Sequence, residues 1–379
     1  MLANHNSRAW RRLLVVRLGS MGDVIHTLPA VAALHRLFPA AEIGWVIEER
    51  WAELLRSPGH QRRSPEMPLV DCVHVVNTRA WRSQLTTAGS WQAMRAARRE
   101  LRQANYDVAL DFQGAWKSAV VSLGSGAPVR IGFRHPREPA ARWFYTRKAA
   151  AAGAHVVEQG ISLLTALLPG EGEEAAGLRL PALLPSPPAP ELPRGQVYES
   201  WAEEQLASHK LSPGGFAVLN PGAGWGAKCW AAESYGEVAR GLAKLGLPSF
   251  LNCGPGEEAL AQAAAQASRG AAWPLRSSLS ELIALMRRAR IFVGGDTGPM
   301  HLAAALEVPV VGIFGPTDPA RNGPYATQAI VLRSAESVTN HSRRAKRDDA
   351  MLSISPAAAL EAAARLLRGG KSCAGGERA

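Results

Sequence analysis

Two turns in this chain hold residues that could do chemistry, and each follows a short apolar run. The first is Arg17-Leu18-Gly19-Ser20-Met21-Gly22-Asp23, after Leu13-Leu14-Val15-Val16. A carboxylate at Asp23, at a helix start and beside two glycines, can take a proton from a hydroxyl held within about 3 Å. Read alone, the same Asp serves as a helix cap. The second turn is Gly294-Gly295-Asp296-Thr297-Gly298-Pro299-Met300-His301, which joins a strand to a helix. Its glycines let backbone approach a ligand closely, and the helix start offers unpaired N–H groups and partial positive charge that suit a diphosphate. Read alone, Asp296 or Thr297 caps the helix and His301 is a packed core histidine. Gly315-Pro316-Thr317-Asp318-Pro319 and Gly323-Pro324-Tyr325 then follow the run ending at Phe314, where a ligand loop belongs. The Gly-rich stretch from Asn220 to Trp230 carries Lys228, whose ammonium could offset charge growing on a departing diphosphate. Most lysines, by contrast, are simply solvated. Glu257 and Glu258 open a helix after Gly254-Pro255-Gly256, where acids complement the helix dipole.

These turns need elements to position them. After Leu13–Val16, the residues Val24, Leu28, Val31, Leu34 and Leu37 recur at helical spacing until Pro39, and Ile43 to Ile47 reads as a second strand. That is a βαβ unit, to which Val108 to Phe112 adds a further strand ending in the loop Gln113-Gly114. Six prolines between Pro181 and Pro193 mark an interdomain linker, followed by a helix from Gln196 to His209. The second half repeats the alternation. It has strands at Phe216–Leu219, Phe250–Asn252, Ile291–Val293 and Val308–Phe314. Helices cover Ala232–Leu245, start at Glu257 and near Pro299, and close the domain at Ala357–Leu367 before a polar tail that reads as frayed. The expectation is an α/β chain of two doubly wound domains, 1–190 and 191–379, with ligands at the carboxyl ends of the strands and a cleft between the domains.

Composition bounds the function. The formal net charge of +11 favours an anionic partner: nucleic acid, a membrane surface or a phosphorylated substrate. No zinc-finger, RNP-type or basic-zipper pattern supports nucleic acid. The loop after the first strand lacks the Gly-x-Gly-x-x-Gly of a nicotinamide enzyme. Four scattered cysteines, with no CxxC, form neither a disulfide framework nor a zinc site. With no signal-peptide core and no run of about 20 apolar residues, the expected location is cytoplasmic.

The run Asp296-Thr297-Gly298…His301-Leu302-Ala303-Ala304-Ala305-Leu306…Pro309…Gly315-Pro316-Thr317-Asp318-Pro319…Gly323-Pro324-Tyr325 resembles the signature of glycosyltransferase family 9, the bacterial lipopolysaccharide heptosyltransferases. Ser20-Met21-Gly22-Asp23-Val24-Ile25-His26-Thr27-Leu28-Pro29 is similar to its heptosyltransferase I branch. Asp111-Phe112-Gln113-Gly114…Lys117-Ser118 and Arg137-Glu138-Pro139…Phe144-Tyr145…Arg147-Lys148 add matches in the same order. The resemblance implies a GT-B fold, two Rossmann-like domains with an interdomain cleft, and no metal or other cofactor. It implies ADP-heptose as donor, Kdo-bearing lipid A as acceptor, inversion of the anomeric centre, and peripheral contact with the cytoplasmic face of the inner membrane. A later core heptose or another glycan is the alternative acceptor, and a non-catalytic binder of anionic glycolipid the alternative class.

The resemblance also assigns roles. Asp23 matches the family's catalytic base. Lys228, in Lys228-x-Trp230, matches its phosphate-contacting lysine, although Cys229 and Ala231 depart from the usual pattern. Donor binding falls to Ser20, Gly22, Lys228, Asp296, Thr297, Gly298, His301 and one of Glu257 and Glu258 at the ribose, with Glu258 preferred. Acceptor carboxylates and phosphates suit guanidinium groups. Arg79 and Arg82, in an expected mobile loop from Asn77 to Thr86, are candidates, as are Arg134, Arg137, Arg147 and Lys148. Relatives often carry cysteines before the final helix, where this chain has Arg343-Arg344-Ala345-Lys346-Arg347.

Overall fold

In the computed structural model of the protein, residues 10–83, 87–168, 189–339 and 349–369 are described, apart from the side chains of Arg82 and Asp349. The chain divides into two compact units, Met1–Arg194 and Gly195–Ala379. The first holds strands β1 (Arg12–Val16), β2 (Glu42–Glu48), β3 (Cys72–Val76), β4 (Val108–Asp111), β5 (Val129–Phe133) and β6 (Arg147–Ala149). The second holds β7 (Ala217–Asn220), β8 (Ser249–Cys253), β9 (Ala272–Arg276), β10 (Ile291–Gly295), β11 (Val310–Phe314) and β12 (Ala329–Arg333). The sheets run β3-β2-β1-β4-β5-β6 and β9-β8-β7-β10-β11-β12, parallel throughout. Both therefore have one order, which reverses between β1 and β4 in the first unit and between β7 and β10 in the second. Loops at such a reversal diverge and leave room for a ligand at the carboxyl end.

The apolar runs form strands because helices cover both faces of these sheets. Leu13 to Val16 and Ala217 to Leu219 are completely buried. The expected central elements are present, including the helices Met21–Leu37, Gln196–Ser208, Ala232–Lys244 and Pro356–Gly369. Pro29 lies inside the first of these without ending it, on a stretch buried from Val24 to Val31. The expected loop from Asn77 to Thr86 is described only as far as Ser83, and that part differs from its expectation. Asn77 Oδ1 accepts from Ala80 N at 3.0 Å and starts a helix, Thr78–Ser83, in place of an open loop. The linker prolines before residue 189, the basic run 343–347 and the C-terminal tail lie outside the described residues. Among the described residues no helix is long and apolar enough to cross a membrane.

One buried polar group makes the first unit's stability depend on pH. His74, on β3, is 4% exposed and lies between Glu100 Oε1, 2.5 Å from Nδ1, and Tyr106 Oη, 2.7 Å from Nε2. Burial opposes its charging, but Cys72 and Glu100 together push its pKa up to about 9. A folded pKa above the ordinary 6.5 contributes stability that is complete below pH 6.5 and lost as pH rises through about 9. Melting of the first unit should therefore weaken over this window by about 1–2 kcal/mol, discounted because Glu100 is half exposed. His74→Gln should flatten that slope, and an unchanged slope would refute the pairing.

Candidate active site

In the first unit the loops after β1 and β4 are laced together. Ser20 is the residue before the helix Met21–Leu37, so Asp23 stands in its first turn and reaches back: Ser20 N and Ser20 Oγ donate to Asp23 Oδ2 at 2.9 and 3.0 Å. Arg17 Nη2 lies 2.5 Å from Asp23 Oδ1, while Arg17 Nη1 donates to Phe112 O at 2.5 Å. Leu18 N donates to Gln113 Oε1 at 3.0 Å, closing the bridge between the loops. Burial works to raise the Asp23 carboxyl, but Arg17, the Ser20 donors and Arg137 hold it below the ordinary aspartate value. It is ionised at neutral pH, and its side chain is 37% exposed. A carboxylate has about four lone-pair positions. Two on Oδ2 and one on Oδ1 are taken, so the second position of Oδ1 remains for a hydroxyl.

Asp111, at the end of β4, plays a different part. It is completely buried and accepts from Gln113 N, Gly114 N, Ser118 Oγ and Tyr145 Oη at 2.8–3.1 Å. Burial pushes its pKa up against these four donors. It shapes the loop that carries Gln113 and Gly114. Gly114 has φ +62 and abuts Arg137 N, where an added Cβ would come within 3.1 Å. This packing brings the Arg137-Glu138 segment to the same strand ends, and Glu138 Oε2 accepts from Trp116 N at 2.7 Å to start the helix Trp116–Gly124.

Beside this loop lies a cavity of about 760 Å³ lined by Glu48, Arg79, Trp81, Trp116, Lys117 and Glu138, among others. Its lining combines apolar side chains with both signs of charge. Arg79 is exposed at its edge, and Arg134 is exposed just past the end of β5. The Arg82 side chain lies outside the described residues. Arg147 stands apart: its Nη1 donates to Ala166 O at 3.2 Å and its guanidinium sits 5.7 Å from the Trp10 ring. Trp10 precedes β1, so this contact is at the opposite end of that strand from Asp23.

In the second unit the loops after β7 and β10 meet at a buried charge cluster. Lys228 Nζ is 2.5 Å from Asp296 Oδ2 and also donates to Asp296 O at 3.2 Å. His301 Nε2 lies 3.0 Å from Asp296 Oδ1. Burial opposes the charge on Asp296, but His301 and Lys228 hold its carboxyl far below the ordinary range. Asp296 therefore does not cap the helix Gly298–Ala305; it anchors the lysine. The Thr297 side chain makes no cap bond either; Pro299 has no N–H and Met300 N donates to Thr297 O at 3.1 Å, so the amides left to meet an anion are those of Thr297 and Gly298. Lys228 also lies 5.6 Å from the Trp225 ring. The buried Trp225 Nε1 and Thr317 Oγ1 have no hydrogen-bond partner among the described residues.

The geometry separates the two glutamates, against the preference for Glu258. Glu257 Oε2 accepts from Gly254 N at 3.0 Å and lies over the loop after β7: a Cβ at Gly222 would stand 2.1 Å from it. Glu258 faces Arg276 at 3.7 Å, with both side chains about half exposed or more. Glu257 is thus the residue presented to the strand ends.

Sequence reasoning missed Arg17, Asn220 and Asn252. Asn252 Nδ2 donates to Asn220 Oδ1 at 2.6 Å, and Asn220 Nδ2 donates to Gly222 O at 2.7 Å, tying β8, β7 and the Gly-rich loop. The available signal was a polar residue directly after an apolar run: Arg17 after Leu13–Val16, Asn220 after Phe216–Leu219 and Asn252 after Phe250-Leu251.

Residues 94–352 match the profile of a family described as glycosyltransferase family 9 (heptosyltransferase). Lipopolysaccharide heptosyltransferase 1 of Pseudomonas aeruginosa is 33% identical over 334 residues, covering 85% of this chain and 84% of that protein. The Escherichia coli K12 enzyme of the same name is 31% identical over 327 residues, covering 85% and 93%. The solved structure of E. coli heptosyltransferase WaaC with ADP aligns with a TM-score of 0.70 at 28% identity, covering 94% of this chain and 99% of that one.

Proposed function

The chain belongs to glycosyltransferase family 9, with the paired α/β units of a GT-B enzyme, and on that premise we propose that it transfers heptose from ADP-heptose to the Kdo of lipid A in the lipopolysaccharide inner core. The observation that carries this reading is the ionised, accessible Asp23 carboxylate, aligned by Arg17 and Ser20 with one lone pair left over. A Kdo hydroxyl gives its proton to Asp23 as its oxygen bonds to the anomeric carbon. The bond from that carbon to the diphosphate oxygen breaks, ADP departs, and the configuration inverts. A weakly basic carboxylate suits this order, since the hydroxyl becomes acidic only as its new bond forms.

Charge on the departing diphosphate falls to Lys228 and to the amides at Thr297 and Gly298, an electrostatic role that needs no metal. The orphaned Trp225 Nε1 and Thr317 Oγ1 supply two further donors for the nucleotide sugar. Arg79, Arg134 and Arg137 face the acceptor's carboxylates and phosphates, and the enzyme works at the cytoplasmic face of the inner membrane. Arg147 has no part in this reading.

The test is to incubate the purified chain with ADP-heptose and Kdo-lipid A, following ADP release and product mass, with and without EDTA. Stoichiometric ADP and heptosylated product, unaffected by EDTA, are expected. No ADP release with this pair would sink the reading, and loss of turnover in EDTA would sink its metal-free form.

Within the same assay Glu257→Gln should raise KM for ADP-heptose about tenfold or more with little change in kcat, the worth of one charge-assisted hydrogen bond to the ribose. Glu258→Gln, which breaks only its surface pair with Arg276, should stay within about twofold of the parent. The reverse pattern would return the ribose to Glu258.

A further inference from the structure

The backbone that leads into the Asp23 turn is held, residue by residue, by β2 and the turn that follows it. Trp45 Nε1 donates to Arg17 O at 3.0 Å, and Glu48 N donates to Leu18 O at 3.1 Å. Gly19 is met by Trp51, which stands in the 3-10 turn Glu49–Leu54 directly after β2. A Cβ at Gly19 would come within 2.7 Å of Trp51 Nε1 and 2.9 Å of Trp51 Cδ1, and beyond its chain neighbours the three nearest atoms all belong to that indole. Glycine is therefore the residue that lets the backbone lie against the ring edge.

The contact is not made for a hydrogen bond. Trp51 Nε1 is buried and has no partner among the described residues. An indole N–H buried without an acceptor costs free energy, so what the side chain supplies at this place is the shape of a flat ring. The ring is itself held. The Arg50 guanidinium lies 4.8 Å from its centroid, and Glu49 Oε2 accepts from Asn77 Nδ2 at 3.1 Å, which ties the turn to the end of β3. The same turn packs against the helix Met21–Leu37, whose first turn carries Asp23.

The residue after Gly19 is Ser20, whose N and Oγ donate to Asp23 Oδ2 at 2.9 and 3.0 Å. These donors lie one residue beyond the ring contact, so the place of Gly19 fixes theirs. Arg17, on the other side of Gly19, holds Oδ1. We propose that Trp51 is a positioning residue for the Asp23 carboxylate: its indole is the stop against which the 19–20 backbone rests, and through Ser20 it sets the direction of the lone pair left for a hydroxyl. A ring that only filled space would be needed for stability alone; a ring that aims the carboxylate is needed for the rate as well, because a reacting group misplaced by about 1 Å loses about a hundredfold. The effect on rate rests on Asp23 as the proton acceptor proposed above.

The experiment places Trp51→Ala, Trp51→Leu and Trp51→Phe in the full chain, with and without Asp23→Asn, and measures kcat, KM for ADP-heptose and Tm. Trp51→Ala should lower kcat about tenfold to a hundredfold and leave donor KM within about twofold. Trp51→Leu keeps apolar volume without a flat edge; it should lose kcat in the same way, and it guards against a simple failure to fold. Trp51→Phe keeps a ring at the Cδ1 and Nε1 positions and should stay within about threefold of the parent. On the Asp23→Asn background Trp51→Ala should cost less than about twofold, since a ring that acts through the carboxylate has nothing left to aim. A second readout needs no turnover: the Asp23 carboxyl carbon, followed by NMR, should titrate at higher pH in Trp51→Ala and as the parent does in Trp51→Phe. Burial then acts against weakened Ser20 donors, while Arg17 and Arg137, the charged groups that face Asp23, remain. Equal losses of kcat in both backgrounds, a fall in Tm with kcat unchanged, or an unmoved Asp23 titration would overturn the proposal. A shifted titration in a chain that transfers no heptose to the Kdo acceptor would support the positioning and count against the proposed reaction alone.

Discussion

Asp23→Asn lowers kcat by about a hundred- to ten-thousand-fold, the range a positioned general base contributes, while KM for ADP-heptose is nearly unchanged. The amide keeps the shape of the side chain and can still accept from Ser20 N, so the helix start survives. What it loses is the proton-accepting lone pair and the charge that pairs with Arg17. Most of the proposed donor contacts lie in the other unit, and Ser20 N keeps its acceptor at position 23, which is why donor KM is the control. The pH profile supplies a second readout. A carboxyl held below its ordinary value stays ionised as pH falls, so the acid limb of kcat/KM should lie below the ordinary aspartate value. Arg17→Met removes the strongest influence opposing burial and should shift that limb to higher pH. Turnover by Asp23→Asn within about threefold of the parent would sink the base assignment.

The second large effect is expected at Lys228. Lys228→Met should cost about a hundred- to a thousand-fold in kcat, as loss of one preorganised charge at the developing anion does. It should also destabilise the second unit, because Asp296 is left 6% exposed with His301 as its remaining partner. Breaking a buried pair on one side costs about 3–5 kcal/mol; Lys228 is itself 19% exposed, which places the cost at the lower end. For a unit of this size that is roughly 6–12 °C in Tm. Asp296→Asn on the Lys228→Met background removes the stranded charge, and should recover most of the Tm without recovering kcat. Asp296 has a depressed folded pKa, so its stabilisation is present above the unfolded value and lost as pH falls through the folded one. Lys228→Met should narrow that dependence. Recovery of kcat along with Tm in the double variant would mean that Lys228 serves the fold and leaves the diphosphate to other groups.

Together these variants separate the proposed proton acceptor of the first unit from the proposed diphosphate contact of the second. Asp23 is a surface carboxylate made ionised and directional by a guanidinium. Lys228 is a partly exposed cation held by a buried carboxylate. In each case the partner of opposite charge sits deeper and sets the orientation of the more exposed group.

Much of the fold was legible because the inner strands of a parallel sheet are covered on both faces. β1, β2, β4, β7, β8, β10 and β11 each hold an unbroken buried apolar run for that reason. The strands that escaped notice include all four sheet edges. β3 contains His74, β6 is Arg147-Lys148-Ala149, β9 contains Pro274 and β12 is only partly buried. An edge needs burial on fewer sides and tolerates proline, so its residues need not look like a strand.

The loops were legible too, because a glycine turn after a strand is local chemistry. The 20–29 and 296–325 motifs, read in order, led to glycosyltransferase family 9 with no coordinates at all. The partnerships inside those loops were not legible, since they join residues far apart in the chain. Arg17 meets Phe112, Lys228 meets Asp296, and Glu257 lies over Gly222. Each depends on which strands are neighbours and on where their ends fall, quantities set by sheet order and by close packing. Residue types and spacing thus determined the family, the central strands and the two motif loops. Tertiary structure alone decided that Asp23 pairs with Arg17, that Asp296 anchors Lys228 and that Glu257 lies over the loop after β7. Energies that depend on a neighbour some 35 to 95 residues away in the chain exist only once the chain has closed around both.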